Sequence, residues 1–450
     1  MSHPLYEKLS AFAERDAVVF EGKTYSYHDL LQLVHQWDEF LDSHQIQRGE
    51  VVTLEGTSSP LACAGLIAMV ARGVVVVPLT PLPPAKRDEF LDIAEVEVVV
   101  RIDELGDLHC ERTGRQATHE LYQKLRDSGS PGLVLFSSGT SGRSKASVLN
   151  FDRMLARYRD PSKARRVLSF LNLDHIGGLN TLLHTISQGG AVITVPDRTP
   201  DTVFAAIAEH RVQVLPTTPT FLNMVLISGA YERYSTESLE LITYGTEPMP
   251  LSTLQRLKAA LPHVRFKQTY GLSELGILPT KSKSDDTLWV KLGNTAGFEH
   301  KIVDGVLWIR SEMAMLGYLN APAPFDEEGF FNTQDMVEVD GDYIRILGRK
   351  SEIINVGGEK VYPSEVESVI LEVDNIAEVT VSGRPNPVTG MVVTALVQLH
   401  KDEDPRVVSQ RVREHCRARL EPFKVPAVVK VADSNTALHS NRFKKIRTVA

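Results

Sequence analysis

Apolar and polar positions along residues 1 to 347 alternate between two periods. Stretches with an apolar residue every three or four positions predict helices, and short β-branched runs between them predict buried strands. The clearest unit opens at Ser59 and Pro60, which suit a helix start. Gly73 suits its stop, and Val74 to Val77 reads as a buried strand closing at Pro78. A second unit runs through Leu182 to Ser187, stops at Gly189 and Gly190, and continues into a strand over Ala191 to Val195. This alternation predicts a layered α/β domain whose sheets are covered by helices. No repeat of fixed period and no low-complexity segment interrupts it.

The pattern changes after Gly348. A short helix is predicted from Pro363 and Ser364, and two strand-like runs follow, Ala377 to Ser382 and Met391 to Leu399, with turn chemistry at Pro387 to Gly390 between them. Asp404 and Pro405 then start a charged helix reaching Leu420, with Val408, Val412, Cys416 and Leu420 on one face. The expectation is a large domain over residues 1–348 and a small α+β domain over 349–450, with the boundary near 348 to 352.

Composition changes this picture little. The chain has 450 residues, 42% hydrophobic and 24% charged, enough for two folded domains. A net charge of −8 argues against a broad nucleic-acid surface. The longest apolar run, around Leu61 to Val77, is broken by Arg72 and Gly73 and reads as helix plus strand, not as a bilayer span. Met1 to Arg15 lacks the apolar core of a signal peptide, so a cytoplasmic address is expected. Cys63, Cys110 and Cys416 share no CxxC spacing and are expected to be reduced, with Cys416 in a core.

Candidate chemistry is concentrated in a few segments. The apolar run Leu133 to Phe136 leads into Ser137, Ser138, Gly139, Thr140, Ser141, Gly142, Arg143, Ser144 and Lys145. Glycines that allow tight backbone turns, hydroxyl donors and terminal cations suit phosphate. A Gly/Ser-rich loop alone is more often a surface turn, and the Walker A spacing is absent. Together with the segments that follow it in order, this loop resembles the signature of the adenylate-forming superfamily: acyl- and aryl-CoA synthetases, peptide-synthetase adenylation domains and luciferases. The resemblance covers nearly the whole chain.

By that resemblance, Gly245, Thr246, Glu247 and Pro248 lie along adenine. Tyr270, Gly271, Ser273 and Glu274 form the motif whose aromatic ring stacks on adenine, whose hydroxyl meets phosphate and whose acid holds magnesium, a hard cation that neutralises phosphate charge. Asn332 to Asp335 resembles the family's Thr-Gly-Asp. Asp335 would accept both ribose hydroxyls, with Gln334 in place of the usual Gly, and Arg349 would also meet ribose. Lys350 and Ser351 occupy the hinge, where the family has Asp or Lys in place of Ser351. Gly357 and Gly358 resemble the loop lining a pantetheine tunnel. The last motif places on Lys445 the cation that meets the reacting carboxylate and α-phosphate, with Lys444 standing at the usual Gly position. Lys445, His175, Thr140 and Glu274 are the implied catalytic set.

His175 falls where CoA ligases carry a His beside the acyl pocket and thiol approach. An Asp there, as Asp174 would be with a slip of one residue, would pair an amino acid's ammonium group. Gly177, Thr217, Leu275 and Gly276 complete the expected acyl pocket or thiol tunnel, whose apolar lining favours a hydrophobic acyl or aryl acid. The resemblance implies an AMP-forming acid–thiol ligase using ATP, Mg2+ and CoA. The alternatives are a ligase loading the phosphopantetheine arm of a carrier protein and a nucleotide-binding regulatory protein without turnover.

Overall fold

The computed structural model describes residues 4–138, 144–293, 297–433, 438–440 and 444–447. Two seven-stranded sheets organise the first 320 residues. In the first, Arg265–Gln268, Leu241–Tyr244, Val214–Thr217, Arg166–Leu168, Ala191–Ile193 and Asp16–Phe20 run parallel, and Lys23–Ser26 closes the edge as a hairpin. In the second, Gly132–Ser138, Val75–Leu79, Val51–Glu55 and Val98–Ile102 are parallel. Ser144–Asn150, Gly317–Tyr318 and Leu108–Arg112 add antiparallel edges.

The unit opening at Ser59 forms as its residues dictate. The helix Pro60–Arg72 is capped by the Ser59 side chain, which accepts the Ala62 N–H, and Gly73 ends it at φ 83. The following strand starts one residue later than expected and runs through Pro78 to Leu79, with Pro78 opposite Leu54. Ten residues of this helix, Pro60 and nine in the run Ala62 to Val70, are buried between elements. A Cβ on Gly65 would lie 2.6 Å from Trp37, so that helix and the one spanning Tyr27–Ser43 can pack only with glycine there. The second unit is the helix Ile176–Ser187 and the strand Ala191–Ile193, two residues shorter than expected.

A six-stranded antiparallel sheet follows, in the order Thr280–Ser282, Val290–Leu292, Tyr343–Arg349, Phe331–Asp340, Val306–Ser311 and Phe298–Val303. The last sheet pairs Glu359–Val361, Ile354–Val356, Gly390–Leu399 and Ile376–Asn386, with Val428–Val431 parallel to Gly390–Leu399. Its own core gathers Ile354, Val366, Ile370, Val381, Val397, Val408, Val412 and Cys416. The helices Pro363–Ile370 and Pro405–Arg417 cover it, and Asp404 caps the second. Among the described residues no helix is long and apolar enough to cross a membrane. The cysteines are free, with Cys63 and Cys416 buried.

Candidate active site

The antiparallel ladder Phe331–Asp340 with Tyr343–Arg349 sets Asp335 directly opposite Arg349. Their side chains meet, with Arg349 Nε 3.2 Å from Asp335 Oδ1. Tyr270, from the two-stranded sheet Tyr270–Leu272 with Gly276–Leu278, donates its hydroxyl to Asp335 Oδ2 at 2.5 Å. Burial pushes the Asp335 carboxyl above its ordinary value, a shift that Arg349 and Tyr270 oppose without cancelling. The turn before it is unusual. Gln334 sits at φ 62, its N–H bound to Asn332 Oδ1, and the Thr333 hydroxyl accepts the Asp335 N–H while donating to Leu307 O. The side-chain acceptor at 332 and the hydroxyl at 333 hold in place a conformation that a glycine would take without strain.

Glu274 lies on the same side. Tyr318 donates to Glu274 Oε1 at 2.7 Å, and the Glu274 carbonyl accepts the Met315 N–H. Its charge adds to the field on Arg349, alongside that of Asp335. Lys145 Nζ stands 5.2 Å from the Tyr318 ring centroid, and Asn320 grips both sides of this region by accepting the Ala146 N–H and donating to Ser144 O. The loop expected to bind phosphate therefore joins two paired strands, Ser138 standing opposite Ser144 across the ladder. Gly139, Thr140, Ser141, Gly142 and Arg143 lie outside the described residues, as does the side chain of Ser138. Tyr318 and Asn320 were missed by sequence reasoning; their places beside Glu274 and Lys145 follow only from the short strand Gly317–Tyr318 pairing with Ser144–Asn150.

In the segment that the resemblance sets along adenine, a Cβ on Gly245 would lie 2.7 Å from Thr269 O. Thr246 follows at φ 73. The Glu247 carboxylate is engaged by protein donors: Thr220 N–H at 2.8 Å, the Thr220 hydroxyl, and the Lys445 N–H at 3.2 Å. Burial raises its pKa above the ordinary value.

His175 caps the helix Ile176–Ser187, its Nδ1 accepting the Gly177 N–H at 3.0 Å, so the ring serves the helix start. Gly177 is hemmed in by Leu171 and by that same ring, and a Cβ on Gly178 would lie 2.0 Å from Asn172 O. Asp174 accepts from the Thr80 hydroxyl at 3.1 Å and lies in the field of Arg198. Thr217 is buried at the end of its strand, its hydroxyl without a hydrogen-bond partner among the described residues. Leu275 is fully buried, and Gly276 turns at φ 75 against Met313.

The small domain's residues divide. Lys350, Ser351 and Glu352 form one 3-10 turn, with Lys350 and Ser351 exposed. Gly357 and Gly358, at φ 62 and 94, make the tip of a hairpin between Ile354–Val356 and Glu359–Val361. A Cβ on either would meet nothing within 4 Å among the described residues, and the positive φ of the turn calls for glycine at both. The Lys445 ammonium points into its own domain, 3.0 Å from Glu367 and 2.9 Å from Val379 O. Glu367 also escaped sequence reasoning. Ser364 and Glu367 have the spacing of a capping box, which hides the fact that the carboxylate lies on the buried face between Val366 and Ile370.

No group of three or more potential metal ligands occurs among the described residues. A single carboxylate fits magnesium nonetheless, because that ion commonly takes one or two carboxylates and completes its shell with phosphate oxygens and water.

The model of the AMP-binding enzyme family matches residues 5–319, and that of the AMP-binding enzyme C-terminal domain matches 365–441. An indoleacetate–CoA ligase of Aromatoleum aromaticum is 26% identical over 98% of both chains. A 2-succinylbenzoate–CoA ligase of Bacillus pumilus is 27% identical over 96% of this chain and 94% of its own. In fold, the anthranilate CoA ligase AuaEII in complex with anthranoyl-AMP superposes with a TM-score of 0.81 at 18% identity, covering 98% of this chain and 95% of the other. ATP-bound MatB from Rhodopseudomonas palustris gives 0.80 at 22%, covering 96% and 95%. The chain belongs to the AMP-binding enzyme family, within the adenylate-forming superfamily of acid-activating ligases.

Proposed function

We propose that this chain joins a hydrophobic acyl or aryl acid to the thiol of CoA through an acyl-adenylate. The observation that carries the reading is that Arg349 and Tyr270 both engage Asp335, that Glu274 acts on Arg349, and that Tyr318 links Glu274 to Lys145. A buried carboxylate offers two acceptors to a vicinal diol, and Asp335 is such an acceptor for ribose, with Arg349 holding its position. The loop 137–145 supplies donors for the triphosphate. Glu274 would hold magnesium, whose charge, when bound, offsets that of the phosphates.

In the first step a carboxylate oxygen of the acid attacks the α-phosphorus, the bond from that phosphorus to the β-bridging oxygen breaks, and pyrophosphate leaves. A lysine of the 444–445 pair stabilises the charge gathered there. In the second, the thiol gives its proton to water, sulfur attacks the acyl carbon, the bond from that carbon to the phosphate oxygen breaks, and AMP departs carrying that oxygen. The small domain beyond residue 348 turns at Lys350 and Ser351 between the steps, bringing the Gly357–Gly358 hairpin toward the acyl group.

Enzyme, ATP, magnesium, CoA and a panel of aryl and medium-chain acids, analysed by mass spectrometry, should yield AMP and acyl-CoA together. AMP without acyl-CoA, but with transfer to a phosphopantetheinyl carrier, would move the acceptor from CoA to a protein. Absence of acid-dependent AMP across the panel would defeat the ligase reading.

A further inference from the structure

One face of the first sheet is left partly open. On Leu241–Tyr244 and Arg265–Gln268, the side chains of Ile242, Tyr244 and Phe266 are buried in a core, whereas Thr243 and Lys267, opposite each other in register, are only half-buried on the other face. Parallel strands ordinarily have both faces covered, so a half-open face on such strands marks a space kept for something else. The helix Ile176–Ser187 behaves alike: nine of its residues are buried, and Gly177, Asn180 and His184, three and four positions apart, form its accessible face. Both surfaces begin at the expected acyl pocket. His184 lies beyond Gly177 by about 10 Å along the helix, and Lys267 lies before Tyr270 by about 10 Å along an extended chain.

Cations gather at the far end of both surfaces. Arg157, just past the helix Phe151–Ala156, acts with its charge on Lys267 and on His184. The Tyr158 hydroxyl donates to Asn180 Oδ1 at 3.0 Å, and the Tyr158 ring centroid stands 6.0 Å from that of His184, which holds this corner of the chain against the accessible face of the helix. Burial pushes Arg157 and Lys267 below their ordinary values, and the nearness of Arg157 pushes Lys267 down further. Among the described residues no carboxylate offsets either cation, the charges acting on Lys267 being those of Arg157 and Arg265, and the buried Nη1 of Arg157 has no hydrogen-bond partner. Arg165, which also acts on His184, is by contrast 3.7 Å from Glu240. Two like charges drawn partly out of water without a counter-charge weaken a fold until an anion joins them.

We propose that Arg157 and Lys267 form the floor of the acid pocket and bind a second acidic group of the substrate, the reacting carboxylate lying at the Tyr270 end and a distal carboxylate pairing with the two cations. The inference rests on the adenylation reading above and names the class of acid within it: one with an apolar middle and an acid group at each end. A guanidinium and an ammonium together match the two oxygens of a carboxylate. The apolar lining serves the middle of such a substrate. An acid ending in a methyl group would leave both cations without a partner, so the floor discriminates against it as well as favouring the diacid.

The test uses the full chain with ATP and magnesium, reading acid-dependent exchange of labelled pyrophosphate into ATP. The acids are straight-chain dicarboxylic acids of increasing length and aryl diacids, each beside the counterpart in which a methyl group replaces the second carboxylate. No exchange with any acid would defeat the adenylation reading itself. With exchange present, the best diacid should exceed its counterpart about tenfold or more in kcat/KM, the scale of one charge-assisted hydrogen bond. Lys267→Met should bring that ratio near one by raising the KM of the diacid, and Lys267→Arg should keep most of it. Arg157→Gln should lower the ratio too, a second reading should Lys267→Met fail to fold, and a melting curve checks each variant. Methyl-ended acids equal or preferred at every length in the wild type would overturn the proposal, as would a ratio unchanged in the folded variants. Inorganic phosphate tests for a free anion in place of a substrate group: it should leave exchange with the methyl-ended acids unchanged. Exchange raised severalfold by phosphate in the wild type but not in Lys267→Met would make the cluster a site for a free anion, and the proposal would fall.

Discussion

Gln334 and Asp335 carry opposite lessons within two residues. Gln334 occupies the left-handed region at φ 62 without glycine's freedom. A non-glycine residue there costs about 1 kcal/mol, partly offset because glycine loses more entropy on folding. Gln334→Gly should therefore raise stability by roughly 0.5 kcal/mol in urea titration; a lowered midpoint would mean that the glutamine side chain supports the turn. Asp335 has the electrostatic problem. Its carboxyl is raised above the ordinary 3.8 by burial, and only the ionised form offers full acceptor capacity to a diol. ATP binding should accordingly weaken on acidification at a pH above 3.8, and Asp335→Asn should remove that limb while costing about 1.5–3 kcal/mol of affinity at neutral pH. A wild-type ATP affinity flat through the mildly acidic range would contradict the assignment. The acid at 335 and the cation at 349 were legible in sequence because they sit in recognisable motifs. Tyr318, Thr220 and Glu367 were not, because each acts through a partner more than 25 residues distant, a relation that no local pattern records.

At the scale of elements, the 3-10 turn Lys350–Glu352 is where a change of conformation is best tested. Arg349 before it is extended, at φ −78 and ψ 141, which is what a following proline requires, and position 350 is the first of the turn, where proline is tolerated. Lys350→Pro should keep the present arrangement and so preserve pyrophosphate exchange. Acyl transfer to CoA from a preformed acyl-adenylate should fall about tenfold or more if the backbone turns at this residue. Equal retention of both half-reactions would move the hinge elsewhere. Helix and strand units such as Pro60–Arg72 were readable because capping residues, a terminal glycine and a β-branched run agree. The strand boundary at Pro78 was not, because proline suggests an end where the sheet continues through Leu79. His175 likewise reads as chemistry in the motif and serves as a helix cap in the fold.

The whole molecule adds a pH dependence of its own. Burial pushes the Glu367 carboxyl up, and Lys445 and Arg447 more than reverse this, so that it titrates below its ordinary 4.5 in the folded protein. A depressed carboxyl contributes stability that is complete above its unfolded value and lost as pH falls through the folded one. Acid should therefore loosen the small domain below about pH 4.5, and Glu367→Gln should reduce the steepness of that loss in a calorimetric series. An acid limb of unchanged steepness would place the responsible carboxylates elsewhere. Layered α/β architecture followed by an α+β unit was visible in the periodicity, since local pattern determines element type. The order of strands in each sheet was not, because pairing joins residues as far apart as Ser147 and Tyr318.

Three of the contacts between the two parts of the chain share a form. The Asn223 amide donates to Ala377 O, the Ser252 hydroxyl to Ser368 O and the Ser364 hydroxyl to Leu347 O. In each case a side chain on one part meets a main-chain carbonyl on the other, and a carbonyl is present whatever residue bears it. Mutations at Ala377, Ser368 or Leu347 need no compensating change across the seam. Methods that infer contacts from correlated substitutions among relatives should therefore find these three contacts nearly silent, although they tie the small domain to the large one.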